Sequence, residues 1–403
     1  MATSRTPAIG FIFLTLIIDV TGLGIIIPVL PALIQSLTHD TIGQAAMLGG
    51  WMLFAFSIMQ FLASPVLGNL SDRYGRRPIL LMALFGFSLD YLLMAVAPTI
   101  GWLFAGRIIA GVCGASITTA MAYIADISTP EKRAQNFGMV GAAFGIGFIV
   151  GPVIGGLLGE FGPRIPFYAA AGLTMLNWLY GYFILPESLS VDKRRPFEWK
   201  RANPFGALKQ LRKYPLLAGL IFSLFFVYVA SHAVQSTWAF FTIAQFDWSE
   251  SMVGYSLGTA GLLVGLVQGL LIRVINPWLG PNKSVYTGMI LYVIGLALFA
   301  FAWQGWMMFA FLVPYCLGGI TGPAIQGIMS NQLPDTQQGE LQGIFASMMS
   351  ITSIIGPPLM TNLFAYFTSP KAPIHFPGAP FLLGAILTVV SLLLAIRYLR
   401  RHH

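Results

Sequence analysis

Charge is what this sequence has least of. Lys and Arg number 22 and Asp and Glu 14, together 9% of 403 residues, where an ordinary soluble domain carries roughly 25%. With 56% hydrophobic residues and a mean hydropathy of +0.77, the apolar surplus cannot be hidden inside one water-facing core. Disorder, which needs low hydrophobicity and high charge, is excluded, and the 44 glycines show no collagen period. Cysteine is nearly absent: Cys113 and Cys316 both lie within apolar runs, so neither a disulfide framework nor a thiolate metal site is indicated. No hydrolase, nucleotide or metal motif is found, so ATP-driven chemistry requires a second chain. Strands of about 10 residues alternating in polarity, the mark of an outer-membrane barrel, are missing too.

What is present is a series of long apolar runs. A bilayer core takes about 20 apolar residues per helix, and runs of that kind fall at 8–36, 46–69, 78–98, 101–126, 135–159, 166–186, 216–243, 251–275, 284–302, 305–330, 340–367 and 379–398. The expectation is an all-α integral membrane protein of twelve transmembrane helices. The connectors are short except from Glu187 to Tyr214, which holds eight basic residues. This gives an N-terminal six-helix bundle over 1–186, a cytoplasmic linker over 187–214 and a C-terminal six-helix bundle over 215–403. Arg5 precedes span 1 without a small-residue cleavage site, so that span is expected to be retained.

The formal charge of +8 would suggest nucleic acid in a soluble protein, but here it reports topology. Nineteen of the 22 Lys and Arg lie in connectors on one side, Arg164 and Lys371 lie on the other, and Arg107 is within a span. Basic residues collect on the cytoplasmic side, which places both termini there.

The two halves repeat at a constant offset of 205 residues. Val150-Gly151-Pro152 returns as Ile355-Gly356-Pro357, Gly138 as Gly343, Gly114 as Gly319, Asp126 as Asn331 and Gly75 as Gly280. Six crossings bring the chain back to its starting side, so the halves run parallel, as in large transporters that bind substrate between two repeats near the midplane. A channel would more commonly come from a symmetric ring with a visible filter, and no filter motif occurs.

Away from helix ends, the charged residues of the spans are Asp19, Asp90 and Arg107. Each costs roughly 2.5–3.5 kcal/mol at a helix centre on insertion scales, so it needs a partner or a wet cavity. Arg107, Gly111 and Gly114 share one helical face, small enough for a neighbouring helix to approach. An aspartate across that face would pair with the arginine. A second carboxylate in low dielectric resists ionisation and can exchange a proton near neutral pH, which is the chemistry a proton-coupled carrier needs. A static polar knot is the alternative, and it suits Arg107 better than the aspartates, because Arg does not deprotonate. The offset partners of Asp19, Asp90 and Arg107 are Leu224, Gly295 and Leu312, so coupling chemistry is expected in the N-terminal half.

The loop after span 2 reads GNLSDRYGRRP, residues 68–78. Its basic residues set topology, while Asp72 among Arg73, Arg76 and Arg77, with Asp126 at the end of span 4, can form a breakable charge network that gates the cytoplasmic side. In span 5, Gly147, Gly151, Gly155 and Gly156 permit close helix crossing, and Pro152 bends the helix.

Together these motifs resemble the major facilitator superfamily, and within it the twelve-span drug:proton antiporters. The loop is similar to the family signature after span 2, the segment Gly106 to Gly111 resembles its span 4 arginine motif, and Gly147 to Gly156 resembles its antiporter motif. The resemblance extends along nearly the whole chain to the tetracycline/proton antiporter family. It is carried by DVTGLGIIIPVLP from Asp19, SLDYLL from Ser88, MVGYSL from Met252 and AIQG from Ala324. By this resemblance Asp19 and Asp90 take the places of that family's essential membrane carboxylates. The chain departs from it at Val264 and Tyr292, where the tetracycline exporters of nearest pattern have a histidine and a carboxylate, so the resemblance implies the antiporter class without assigning tetracycline.

Polar and aromatic residues expected at a substrate site are Gln60, Asn177, Tyr180, Tyr228, Gln235, Trp238, Gln268, Tyr292 and Gln326. They offer hydrogen bonds and flat faces without selecting one compound, and Gln235, Gln268 and Gln326 stand out as amides in apolar spans. The expected function is export of a hydrophobic or amphipathic drug, tetracycline-like or multidrug, by proton antiport and alternating access in the bacterial inner membrane. One chain is expected to act as a monomer, with no nucleic acid, no metal, and no cofactor beyond the proton gradient. Export of a defined metabolite such as a siderophore, proton-symport uptake, and a receptor or scaffold on the same fold are the other readings.

Overall fold

A computed structural model describes residues 6–199, 217–334 and 337–401. Arg5 and the linker from Lys200 to Tyr214 lie outside the described residues. The described chain is nearly all helix: α1 Thr6–Ile26, α2 Leu30–Thr38, α3 Ile42–Tyr74, α4 Arg76–Val96, α5 Ile100–Gly114, α6 Ile117–Ile127, α7 Pro130–Gly159, α8 Ile165–Ile184, α9 Ala218–Phe246, α10 Glu250–Leu266, α11 Ile272–Leu279, α12 Pro281–Ala300, α13 Gly305–Leu317, α14 Thr321–Asn331, α15 Gln338–Thr368 and α16 Ala379–Arg401. No strand occurs among the described residues.

Among the described residues, ten helical stretches are long and apolar enough to cross a bilayer, and the bent pair α1–α2 makes an eleventh. The remaining expected span, 166–186, is α8. It is 20 residues long but less apolar, because Tyr168, Asn177, Trp178, Tyr180 and Tyr182 dilute it. Several spans expected as single helices are broken. Span 1 bends by 48° between α1 and α2, where Pro28 and Pro31 lack backbone donors. Span 4 breaks after Gly114, and span 10 passes through a short 3-10 turn at Gly318–Ile320. Span 8 carries a π turn over Val267–Leu271, a form that bulges an α-helix locally.

The internal repeat reappears in these elements. Adding 205 to the start of α4 gives the start of α12, and the break after Gly114 returns at Gly319. The prolines within α7 and α15 correspond likewise. Gly75 and Gly280 precede α4 and α12 with φ of 107° and 76° and ψ of 162° and 163°. That backbone region is essentially restricted to glycine, so the same tight turn is built twice.

The helices group into two compact units, one comprising Met1–His39, Ala55–Pro204 and Ser249–Gly258, the other Asp40–Phe54, Phe205–Trp248 and Thr259–His403. In the first, α1 packs along α7, and α4 packs on α5 and α8. In the second, α9 lies against α15 and α16, and α12 against α13 and α16.

Each unit includes a helix end from the other half of the sequence, held through small residues. In the first unit Gly156 of α7 faces Glu250 and Ser251, with Ser251 Cα 2.9 Å from where a Cβ on Gly156 would sit. In the second, Gly43 and Gly50 of α3 face Thr368 and Thr361 of α15. The two contacts are repeat mates, since Gly156 plus 205 is Thr361.

Candidate functional site

The charged centre lies in the first unit and is assembled by the hairpin of α4 and α5. Asp90 is six residues before the end of α4, and Arg107 is seven residues after the start of α5. These similar distances from the turn put them at about the same depth. Arg107 Nη2 donates to Asp90 Oδ2, and both side chains are buried. Glycine permits this approach: a Cβ on Gly106 would lie 2.6 Å from Asp90 Oδ1. The rest of the small face also serves as the sequence suggests, because Gly111 abuts the backbone of Phe56 on α3, and Gln60 Nε2 donates to Gly114 O at 3.1 Å. The partner of Arg107 is therefore Asp90, and the arginine's Nε, like Asp90 Oδ1, is buried without a hydrogen bond.

Asp19 stands apart from this pair. It lies on α1, its Oδ1 is buried, and no hydrogen bond reaches that atom. One turn further along, a Cβ on Gly22 would meet Tyr91 Oη at 2.7 Å, so α1 runs directly against the residue after Asp90. One carboxylate therefore has a fixed cation and the other has no hydrogen bond to its buried oxygen, on helices that meet at Tyr91.

The antiporter-motif residues line the other side of α1. Gly147 meets Val20 and Thr21, Gly151 meets Thr21 O at 2.6 Å and Gly24 at 2.9 Å, and Gly155 meets the Ile25 backbone. Gly24 in turn has Pro152 Cδ 2.7 Å from its Cβ direction. This spacing of four residues is a small-residue stripe that seats the length of α1 bearing Asp19 against α7. Gly156 points elsewhere, to Glu250 and Ser251.

At the end of α3 the charge network forms around one residue. Arg76 Nη1 pairs with Asp72 Oδ1 at 2.6 Å, and its Nε pairs with Asp126 Oδ2 at 3.2 Å. Arg76 Nη1 also donates to Ser71 Oγ at 2.6 Å, and Ser188 Oγ donates to Asp126 Oδ2. Arg73 lies over the ring of Tyr74 and Arg77 donates to Tyr182 O at 2.6 Å, so these two are turned away from the aspartates. A further member was absent from the sequence reading. Glu187, just after α8, accepts from the backbone N–H groups of Arg76 at 2.8 Å and Arg77 at 3.2 Å, capping α4 and countering its positive end. Its signal in the sequence was a carboxylate at the start of the basic connector, immediately after span 6.

The remaining polar residues divide by unit. In the first, Asn177 is 2% exposed and accepts from Thr15 Oγ1 at 3.2 Å, while the ring of Tyr180 packs on Phe11. In the second, Gln326 Nε2 donates to Tyr228 Oη at 3.1 Å, and Gln235, exposed, donates to Ser231 Oγ. Gln268 is exposed within the π turn. Trp238 is enclosed, 1% exposed, edge-on to Phe299. Tyr292 is buried, stacks on Tyr315 at 4.8 Å between ring centres and donates to its hydroxyl at 3.2 Å. The offset partner of Asp90, Gly295, packs directly on Tyr315. His232, missed by the sequence reading, is buried with its ring against Gly356.

The sequence matches the Major Facilitator Superfamily over residues 12–313 and 266–403. It is 39% identical over 379 residues to the class C tetracycline resistance protein of Escherichia coli, covering 94% of this chain and 93% of that one. To the class B tetracycline resistance protein of Escherichia coli it is 34% identical over 388 residues, covering 95% and 94%. Among solved structures, a bacterial homologue of the human lysosomal transporter Spinster superposes with a TM-score of 0.75 at 15% identity, over 99% of this chain and 98% of that one. At that identity the likeness concerns the fold alone.

Proposed function

The chain belongs to the major facilitator superfamily, and from that premise we propose that it is a proton-coupled exporter of hydrophobic or amphipathic drugs, with the proton gradient as its energy source. The observation that carries this reading is the buried Asp90–Arg107 pair beside an unpaired Asp19, in a chain similar to tetracycline resistance proteins over more than nine-tenths of its length. Asp19 and Asp90 take up protons in one conformation and give them up in the other. A carboxylate that becomes neutral loses its attraction for the Arg107 guanidinium, so protonation of Asp90 loosens the α4–α5 hairpin. Arg107 keeps its charge throughout and resets the pair.

The two six-helix bundles, 1–186 and 215–403 joined by the linker 187–214, act as the alternating elements. The chain lies in the bacterial inner membrane as a single protomer with both termini in the cytoplasm. Arg76, shared between Asp72 and Asp126 and helped by the Glu187 cap, is the hub of the cytoplasmic gating network. Gln326 with Tyr228, Gln235 and Gln268 are the substrate contacts best supported, since each keeps a polar group outside the tight packing of its unit.

The test is drug-dependent proton movement in proteoliposomes bearing a pH gradient. Wild type releases protons into the lumen or the bath in step with drug transport, whereas Asp19→Asn and Asp90→Asn lose uphill transport. If both variants accumulate drug against its gradient like wild type, the coupling assignment is wrong. If drug moves without any opposite proton flux, antiport itself is wrong.

A further inference from the structure

We infer that Thr15 and Asn177 act as positioning residues that bind a water molecule against the carboxylate of Asp19 and thereby set the pH range over which this group exchanges its proton. The inference rests on the reading of Asp19 as a proton carrier. Its basis is a complementary set of buried polar atoms on α1 and α8. Asp19 Oδ1 is a buried acceptor without a partner, and Asn177 Nδ2 is a buried donor without a partner. Thr15, one turn before Asp19 on α1, joins the two helices: its hydroxyl donates to Asn177 Oδ1 at 3.2 Å, leaving the oxygen free to accept.

Thr15 and Asp19 are four residues apart on α1, which puts them on one face with Cβ atoms roughly 5–6 Å apart. That gap is wider than a direct hydrogen bond and suited to one water. The water would donate one proton to Asp19 Oδ1 and the other to Thr15 Oγ1, and accept from Asn177 Nδ2. Three bonds of this kind are usual for buried water, and they remove the penalty of leaving both orphans unpaired.

Two of those contacts bear on charge. A hydrogen bond donated to an ionised carboxylate favours the ionised form, so the water, held in orientation by Thr15 and Asn177, eases proton release. No side chain among the described residues donates to Asp19 Oδ1. The titratable groups on the neighbouring helices are, from α4, Tyr91 and the Asp90 carboxylate already engaged by Arg107, from α5 Cys113, from α8 Tyr180 tilted against Phe11, and from α6 Tyr123, whose hydroxyl donates to Pro186 O. The facing stretch of α7 is the glycine stripe. Asn177 therefore serves the proton site and leaves the list of substrate contacts.

The test measures antiport against pH in proteoliposomes. Thr15→Val and Asn177→Leu are expected to move the pH profile of proton-coupled transport towards alkaline values by about 0.5–1 unit, the size of one hydrogen-bond contribution, with drug affinity unchanged. Thr15→Ser restores the wild-type profile. A second measurement needs no folded variant at those positions: infrared difference spectra of the wild-type protein, titrated in ¹⁸O-labelled and ordinary water, should show an isotope-sensitive water band that changes together with the Asp19 carboxyl band and vanishes in Asp19→Asn. A profile unmoved in Thr15→Val and Asn177→Leu, a Thr15→Ser profile shifted like that of Thr15→Val, or the absence of the water band overturns the inference. Wild-type proton coupling in Asp19→Asn instead overturns the reading of Asp19, an outcome distinct from these.

Discussion

Arg107 and Asp90 depend on one another because each would be an uncompensated charge alone. Breaking a buried pair by removing one partner costs about 3–5 kcal/mol in folded proteins, whereas removing both is far milder. Arg107→Met is therefore expected to lower the thermal unfolding temperature in detergent more than the double change Asp90→Asn with Arg107→Met. Both should lack uphill transport. A double variant as unstable as the single one would show that the pair does not stabilise through charge compensation. The identity of this pair was partly legible in the sequence: two charged residues at similar distances from one short turn lie at about the same depth. A paired and a second carboxylate were distinguished in the sequence, but which helix would face the second one, Asp19, was not, since that depends on how α1 packs against α4 and α7.

At the scale of elements, glycine decides which helices touch. A Cβ on Gly151 would sit 2.6 Å from Thr21 O, whereas one on Gly145 meets nothing within 4 Å. Gly151→Ala should therefore separate α7 from α1 and abolish transport, and Gly145→Ala, on the same helix, should keep activity and gain about 0.5–1 kcal/mol of helix propensity. Transport assays with measured membrane expression distinguish the two. The turns before α4 and α12 offer a second comparison. Gly75 and Gly280 share a backbone conformation that costs any other residue about 1–3 kcal/mol, but only at Gly75 would a Cβ also collide with the carboxylate of Glu187 and approach Arg194 Nη2 to 3.1 Å. Gly75→Ala is expected to lower thermal stability more than Gly280→Ala. Equal losses would mean that the Glu187 cap yields freely.

For the whole molecule the question is which side faces out. Cys113 and Cys316 are buried thiols, so single cysteines introduced on an otherwise native chain can be read directly. A membrane-impermeant maleimide applied to intact cells should label Lys371→Cys, and should label Arg273→Cys only after permeabilisation. Both positions are exposed. The reverse pattern would invert the orientation drawn from the basic connectors. The same scale explains why twelve expected spans appear as ten stretches with one bent pair and a less apolar α8: a hydropathy window averages over kinks and aromatic residues that the helix itself accommodates.

Composition alone determined that this chain belongs in a bilayer and is helical, because desolvating backbone and side chains in lipid is an additive cost that every residue registers locally. The offset of 205 residues, the family and the candidate carboxylates were likewise legible, being patterns of residue type along the chain. Tertiary structure alone decided which partners those residues have. Arg76 and not Arg73 or Arg77 joins Asp72 to Asp126, Glu187 caps a helix 111 residues away, Tyr292 is spent on Tyr315, and Asn177 is turned to Thr15 rather than to open space. Such choices follow from how closely helix backbones approach, which depends on glycines placed opposite one another on different helices. No single stretch of sequence holds both sides of that contact.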